Sequence, residues 1–294
     1  MNPLVLVFAS AVLMSMKGIV AKFAFAEGVA LGPLLVLRAL LSLPIFWVWA
    51  ARRGDLARVA RAPRRELAWG AFGGVLSYYV GTWLDFRGLE LIAASLERAL
   101  LFAYPAFVVL LRAALRRQWP GRRLLVAVGA TYCGIFLAVG GLQADVFRMN
   151  AAGGLMVLAS AAMFAGYLLI NERVATVIGS LGYLVVAMSA ASACLLLHFA
   201  ITSDFSALTL SARAWALVIG LTIFTNVLPL IMMAEGVLRL GAQRAAVLGS
   251  IGPPCTLAAG WWLLDESLHA TQLWGTALIV AGILVLEGSR GARR

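Results

Sequence analysis

The chain of 294 residues is 63% hydrophobic and only 13% charged, against about 45–50% apolar and about 25% charged in an ordinary soluble domain. Its mean hydropathy of +0.94 is an average over the whole chain, so the apolar residues are not confined to one anchor and a water-soluble globule is excluded. The net charge of +11 does not mark a nucleic-acid binder, because the basic residues fall between hydrophobic runs and not on one solvated face.

A spanning helix takes about 20 apolar residues. A window of about 19 residues places spans near 4–26, 30–51, 66–87, 90–115 and 120–141. The polar stretch 142–150 follows, then spans near 151–172, 179–202, 213–234, 237–264 and 271–289. The runs are continuous and do not alternate with period two, which excludes a barrel. The predicted fold is an all-α integral membrane protein of ten transmembrane helices. Ala24-Phe25-Ala26 looks like a small-residue cleavage site, but no basic segment precedes it and the apolar stretch is long, so a retained first helix is expected.

Arg52, Arg53, Arg58, Arg61, Arg64 and Arg65 join spans two and three, and Arg116, Arg117, Arg122 and Arg123 join spans four and five. Both connections are expected in the cytoplasm, which with an even number of spans puts both termini there. The opposite connections hold Arg87, Arg148 and Arg213 beside acids that include Glu27, Asp85, Glu90 and Glu266.

Sliding one half of the chain on the other by 148 residues brings Gly88 onto Gly236, Ala94 onto Ala242, Pro105 onto Pro253, and Gly134-Ile135 onto Gly282-Ile283. The chain is expected to divide into a five-helix repeat over 1–141, a periplasmic linker over 142–150, and a second five-helix repeat with a cytoplasmic tail over 151–294. Because five is odd, the second copy crosses the membrane in the opposite sense. Such inverted-topology repeats characterise secondary transporters, whose halves rock about a site near the midplane.

The stretch Gly241-Ala242-Gln243-Arg244-Ala245-Ala246, then Pro253, Leu264-Asp265-Glu266-Ser267-Leu268, Gly275 and Gly282 resembles the drug/metabolite transporter superfamily with two EamA-type halves. The first half echoes it with Ala93-Ala94-Ser95, Pro105, Gly129 and Gly134, but carries Gln118 where the second has Glu266. The resemblance implies export of small metabolites across the bacterial inner membrane. Size, span count and aromatic content look most like the aromatic amino-acid exporters (YddG-like). An exchanger of phosphorylated solutes, such as nucleotide sugars or sugar phosphates, stands as the alternative.

Ionisable groups in lipid are costly and usually face a cavity or a partner. Lys17, Arg38, Glu97 and Arg98 all fall roughly 12 Å below the outer surface at about 1.5 Å per residue. Three cations and one anion at one depth favour an anionic or zwitterionic solute. The competing reading pairs Glu97 with Lys17 as a structural clamp or outer gate, with the arginine stems snorkelling upward. Tyr78, Tyr79, Trp83 and Tyr104 offer flat faces with polar tips, and Tyr79 and Trp83 share one α-helical face. Tyr167 matches Lys17 at an offset of 150, and Asn226 lies deep in span eight. Lys17, Tyr78, Tyr79, Trp83, Glu97, Arg98, Tyr104, Tyr167 and Asn226 are therefore the predicted substrate contacts. Arg38, Pro105, Pro229, Pro253 and Arg244 are the predicted gate and hinge positions.

No G-x-S-x-G, H-E-x-x-H or glycine-rich phosphate loop occurs, so no catalytic residue, metal or cofactor is predicted. Cys133, Cys194 and Cys255 read as packing residues. The expected partners are a small-molecule substrate and the bilayer. Ala130, Gly134 and Ala138 make a close-packing face on span five, giving a monomer or a weak homodimer through spans five and ten.

Overall fold

The computed structural model describes residues 2–117, 121–139, 143–203, 205–233, 251–267 and 269–291. Arg244, the whole 241–246 stretch and Gln118 lie outside the described residues. Helices account for nearly all of the rest, and no strand occurs among the described residues.

The chain opens with α1 (Pro3–Ser15), started by Pro3 and by the Asn2 side chain accepting from Leu4 N at 3.0 Å. The helix breaks at Met16 and resumes as α2 (Lys17–Ala26). Next come α3 (Leu31–Arg52), the short α4 (Asp55–Ala60), and α5 (Arg64–Gly74). A π-helical segment, Val75–Gly81, joins α5 to α6 (Thr82–Leu91). The following stretch is split into α7 (Ala94–Leu101) and α8 (Tyr104–Arg116), where Pro105 cannot continue the hydrogen bonding of the preceding turn. After α9 (Arg122–Ala138) come α10 (Ala144–Ile178), α11 (Ser180–Thr202) and α12 (Ala212–Thr222), the last running into a second π-helical segment, Ile223–Val227. The described chain ends with α13 (Gly252–Leu264) and α14 (Ala270–Gly291).

Six stretches among the described residues are long and apolar enough to cross a bilayer: Pro3–Ala26, Leu31–Arg52, Ala94–Arg116, Ala144–Ile178, Ser180–Thr202 and Ala212–Met233. The outward faces of the described helices carry large apolar side chains, including Val126 of α9, Leu197 and Ile201 of α11, and Trp262 of α13. Such a surface is unfavourable in water and matched to hydrocarbon.

Two features differ from the sequence expectation. Residues 144–150, expected as a linker, form the first turns of α10. Proline is absent there, and Gly153 and Gly154 are buried within the helix without ending it. Asp85, expected with the outer connection, is buried inside α6 because that helix runs on to Leu91.

Small residues set the closest helix crossings. A Cβ on Gly74 of α5 would run into the backbone of Ala187 on α11. The helices α9 and α14 run antiparallel, with a Cβ on Gly134 only 2.7 Å from Gly275 O and one on Gly282 only 2.8 Å from Ala127 O. The small face of span five is thus occupied within the chain by span ten. Gly282→Val is expected to force α9 and α14 apart at a cost of about 1–3 kcal/mol. Thermal unfolding in detergent, with Gly129→Val as an open-space control, measures it.

Candidate functional site

The break at Met16 places Lys17 at the start of α2, where its ammonium enters the bundle. Lys17 Nζ donates to Asp85 Oδ2 at 2.5 Å and to Glu97 Oε1 at 3.0 Å. The three side chains are 15%, 7% and 1% exposed, so the ion pairs are shielded from water and each partner depends on the others. Gly18 makes the approach possible, since a Cβ there would lie 3.2 Å from Glu97 Oε2. That oxygen and Asp85 Oδ1 are buried without hydrogen-bond partners.

Phe86, fully buried on α6, lies beside this triad. Lys17 Nζ is 5.4 Å and Arg38 Cζ 4.8 Å from its ring centroid, a cation–π arrangement. Arg98 follows Glu97 on α7, and its Nη2 lies 3.1 Å from where a Gly252 Cβ would sit, with Ser15 Oγ close by. Its Nε is buried and unpartnered.

Arg38 also lines a tight cleft of about 20 Å³ between α3, the first π segment and α11. Tyr78, Ser42, Thr82 and Ser192 supply its hydroxyls, and Leu35, Met188 and Leu195 are among its apolar walls. No carboxylate among the described residues forms an ion pair with Arg38.

The π segment decides which aromatic residues reach the cleft. A π-helix has a wider turn, marked here by Thr82 Oγ1 donating to Ser77 O at 3.2 Å, five residues back. Tyr78 and Thr82 both come to the cleft. Tyr79 instead meets His198, with its hydroxyl 3.0 Å from Nδ1. Tyr79 and Trp83 both pack on the core cluster that contains Phe86 and Leu89, as their shared face predicts, but neither lines the cleft.

Tyr167 does not sit beside the charged triad. It accepts from Tyr78 OH at 3.3 Å, and its backbone carbonyl accepts from Tyr183 OH at 3.0 Å. Tyr104 packs edge-on against Phe164 at 5.0 Å, at the rim of the same aromatic group. Asn226 lies in the second π segment, with Nδ2 buried and unpartnered. Pro229, buried nearby, has its own carbonyl taken by Ser10 Oγ at 2.7 Å. Pro105 and Pro253 are buried at the starts of α8 and α13.

Sequence reasoning missed Asp85 as the third member of the triad and the role of Glu266. Glu266 Oε1 accepts from Ala94 N at 2.6 Å, and Oε2 accepts from Ser95 N at 3.2 Å and Ser95 Oγ at 2.6 Å. The carboxylate therefore caps α7 from a distance of more than 170 residues along the chain. The sequence pattern marked Glu266, but its partner is visible only in three dimensions.

Because Tyr78 lines the cleft and Tyr79 does not, the two single-hydroxyl deletions separate. Tyr78→Phe, which also removes the donation to Tyr167, is expected to weaken binding of a ligand in the cleft about fivefold, the worth of one neutral hydrogen bond of about 1 kcal/mol. Tyr79→Phe leaves it within about twofold. Titration of the two variants side by side tests the contrast.

A multi-pass helical bundle with buried charges beside a cleft is consistent with a membrane transporter. The model of the EamA-like transporter family matches residues 1–140 and again residues 151–287. The chain belongs to the EamA-like transporter family. It is 34% identical to the uncharacterized transporter YcbK of Bacillus subtilis over 269 residues, 88% of this chain and 84% of that one. It is 23% identical to an uncharacterized transporter of Synechocystis over 86% of this chain and 78% of the other. A solved crystal structure shares the fold with a TM-score of 0.66 at 18% identity, over 97% of this chain and 95% of that one.

Proposed function

We propose that this transporter exports amino acids, aromatic and other neutral ones, across the bacterial inner membrane by alternating access. The observation that carries the substrate class is the division of labour among the buried cations. Lys17 is paired with both Asp85 and Glu97, whereas Arg38 lines the cleft with no carboxylate among the described residues within ion-pair distance, Asp85 acting on it only from further off. The guanidinium on the cleft wall suits one carboxylate, which it binds with two parallel hydrogen bonds. The hydroxyls of Ser42, Thr82 and Ser192 and the ring of Tyr78 offer acceptors and a π face to an ammonium group. A phosphate dianion or a nucleotide diphosphate calls for more positive charge than Arg38 alone supplies, which argues against the phosphorylated-solute alternative. Sequence expectation made Arg38 a gate; its place on the cleft wall makes it the carboxylate contact in this reading.

Alternating access by two inverted five-helix halves, ten spans in all, is supported by recurrence of the 148-residue offset in three dimensions. The two π segments open at Val75 and Ile223. The half-helices α8 and α13 open at Tyr104 and Gly252, each with proline second. The α9–α14 contact is self-complementary under the same shift: Gly134 meets Ile279 as Gly282 meets Thr131. The twofold match of the family model agrees with the division. In this reading the arginine-rich connections and both termini face the cytoplasm.

Proteoliposomes loaded in turn with unlabelled Phe, Trp, Thr, a UDP-sugar or glucose 6-phosphate, and given the labelled solute outside, test the proposal by counterflow. Saturable counterflow of the amino acids is the expected result. Counterflow of the phosphorylated solutes alone would overturn it.

A further inference from the structure

We propose that Glu266 is the latch that closes the arginine-poor side of the transporter, positioning the half-helix that carries Glu97 and Arg98. The inference rests on the alternating-access reading above. An α-helix leaves its first backbone N–H groups without intrahelical acceptors, and a local Ser, Thr, Asp or Asn normally takes one of them. At α7 the N-cap is Ala93, which has no side-chain acceptor. The cap comes instead from Glu266, in the connection between α13 and α14, through Ala94 N, Ser95 N and Ser95 Oγ. Its negative charge also complements the positive end of the helix.

The local structure of that connection aims Glu266 at α7. The helix α13 stops at Asp265, whose backbone is left-handed with φ of 52°. The chain turns back so that Glu266 N donates to Gly260 O at 3.1 Å. Gly260 leaves room for the carboxylate, since a Cβ there would come 2.5 Å from Glu266 Oε2. The contact joins a helix of residues 94–101 to a connection on the far side of the internal repeat. Releasing it frees α7 to move with Glu97, and so couples opening of that side to the Lys17 triad. A cap drawn from the same half would hold α7 equally well without responding to relative movement of the halves.

Two measurements on the full-length protein in proteoliposomes test the latch. In a chain with Cys133→Ser, Cys194→Ser and Cys255→Ser, the pair Ser95→Cys and Glu266→Cys is bridged by a short bifunctional methanethiosulfonate. Bridging is expected to cut amino-acid counterflow at least tenfold, with recovery on adding reductant, because a latch must open in each cycle. Undiminished counterflow in the bridged protein would mean a static cap and would overturn the proposal.

The second measurement does not depend on knowing the solute. Native Cys255 sits half-buried on α13, one turn from Gly252 and within the field of Arg98. With the other two cysteines replaced, Glu266→Ala is expected to raise its labelling by a membrane-impermeant maleimide, added on the arginine-poor side, about tenfold. Glu266→Gln, which keeps one acceptor oxygen, is expected to fall between. Should the alanine variant not fold, Ser95→Ala removes one of the three hydrogen bonds and is expected to shift labelling in the same direction by a smaller factor. Unchanged labelling in every folded variant contradicts the latch. Raised labelling with no counterflow of any amino acid leaves the latch standing and sinks the substrate proposal instead.

Discussion

Lys17→Met is expected to lower the melting temperature in detergent by on the order of 10 °C and to abolish flux. Removing the ammonium leaves Asp85 and Glu97, 7% and 1% exposed, facing each other without their shared ion-pair partner. Breaking a buried ion pair in this way costs about 3–5 kcal/mol, and about 1 kcal/mol corresponds to roughly 2–4 °C in a chain of somewhat smaller size. Replacing all three groups together is expected to behave differently. Lys17→Met with Asp85→Asn and Glu97→Gln leaves no charge within the triad itself, and such neutral replacements of buried ionic clusters are often harmless to stability. The triple variant should therefore recover most of the melting temperature while remaining inactive. Recovery of both would reduce the triad to a structural clamp. Recovery of neither would mean that its worth lies in contacts other than charge.

Arg38→Gln is expected to raise the KM for amino acids by about 10–100-fold with little change in melting temperature. A charge-assisted hydrogen bond contributes about 1.5–3 kcal/mol, and each 1.4 kcal/mol is about tenfold in affinity. Stability changes little because no carboxylate among the described residues lies within ion-pair distance of Arg38, and Asp85 keeps its ion pair with Lys17. Arg38→Lys should recover only part of the loss, since an ammonium lacks the planar fork that meets both carboxylate oxygens. Initial-rate flux across a range of concentrations, with circular dichroism as the check on folding, measures it. A wild-type KM in Arg38→Gln would remove the guanidinium from the site.

The all-helical membrane class and six of the expected spans were legible because hydropathy is a one-dimensional signal that lipid imposes directly. The meeting of Lys17 with Glu97 was legible through depth alone, since helical rise fixes how far each residue lies below a span end. What failed was anything that needed the helix to be irregular. The break at Met16 has no proline to announce it. The π segment Val75–Gly81 lets Tyr78 reach the cleft while Tyr79 turns to His198, and α-helical spacing cannot show such a departure. Asp85 read as an outer acid because it falls near the end of an apolar run, and only the continuation of α6 to Leu91 buries it. Glu266 stood out in the sequence, but its partners at Ala94 and Ser95 are tertiary and leave no local trace.

A solute held by its carboxylate at Arg38 should show that dependence in direct binding of three related ligands. Phenylalanine, phenethylamine, which lacks the carboxylate, and 3-phenylpropionate, which lacks the amine, would be titrated against the purified wild-type protein and Arg38→Gln in detergent. The wild type is expected to bind phenylalanine and 3-phenylpropionate more tightly than phenethylamine, and Arg38→Gln to weaken the first two by at least tenfold while leaving the amine unaffected. Equal binding of all three ligands to both proteins would contradict it.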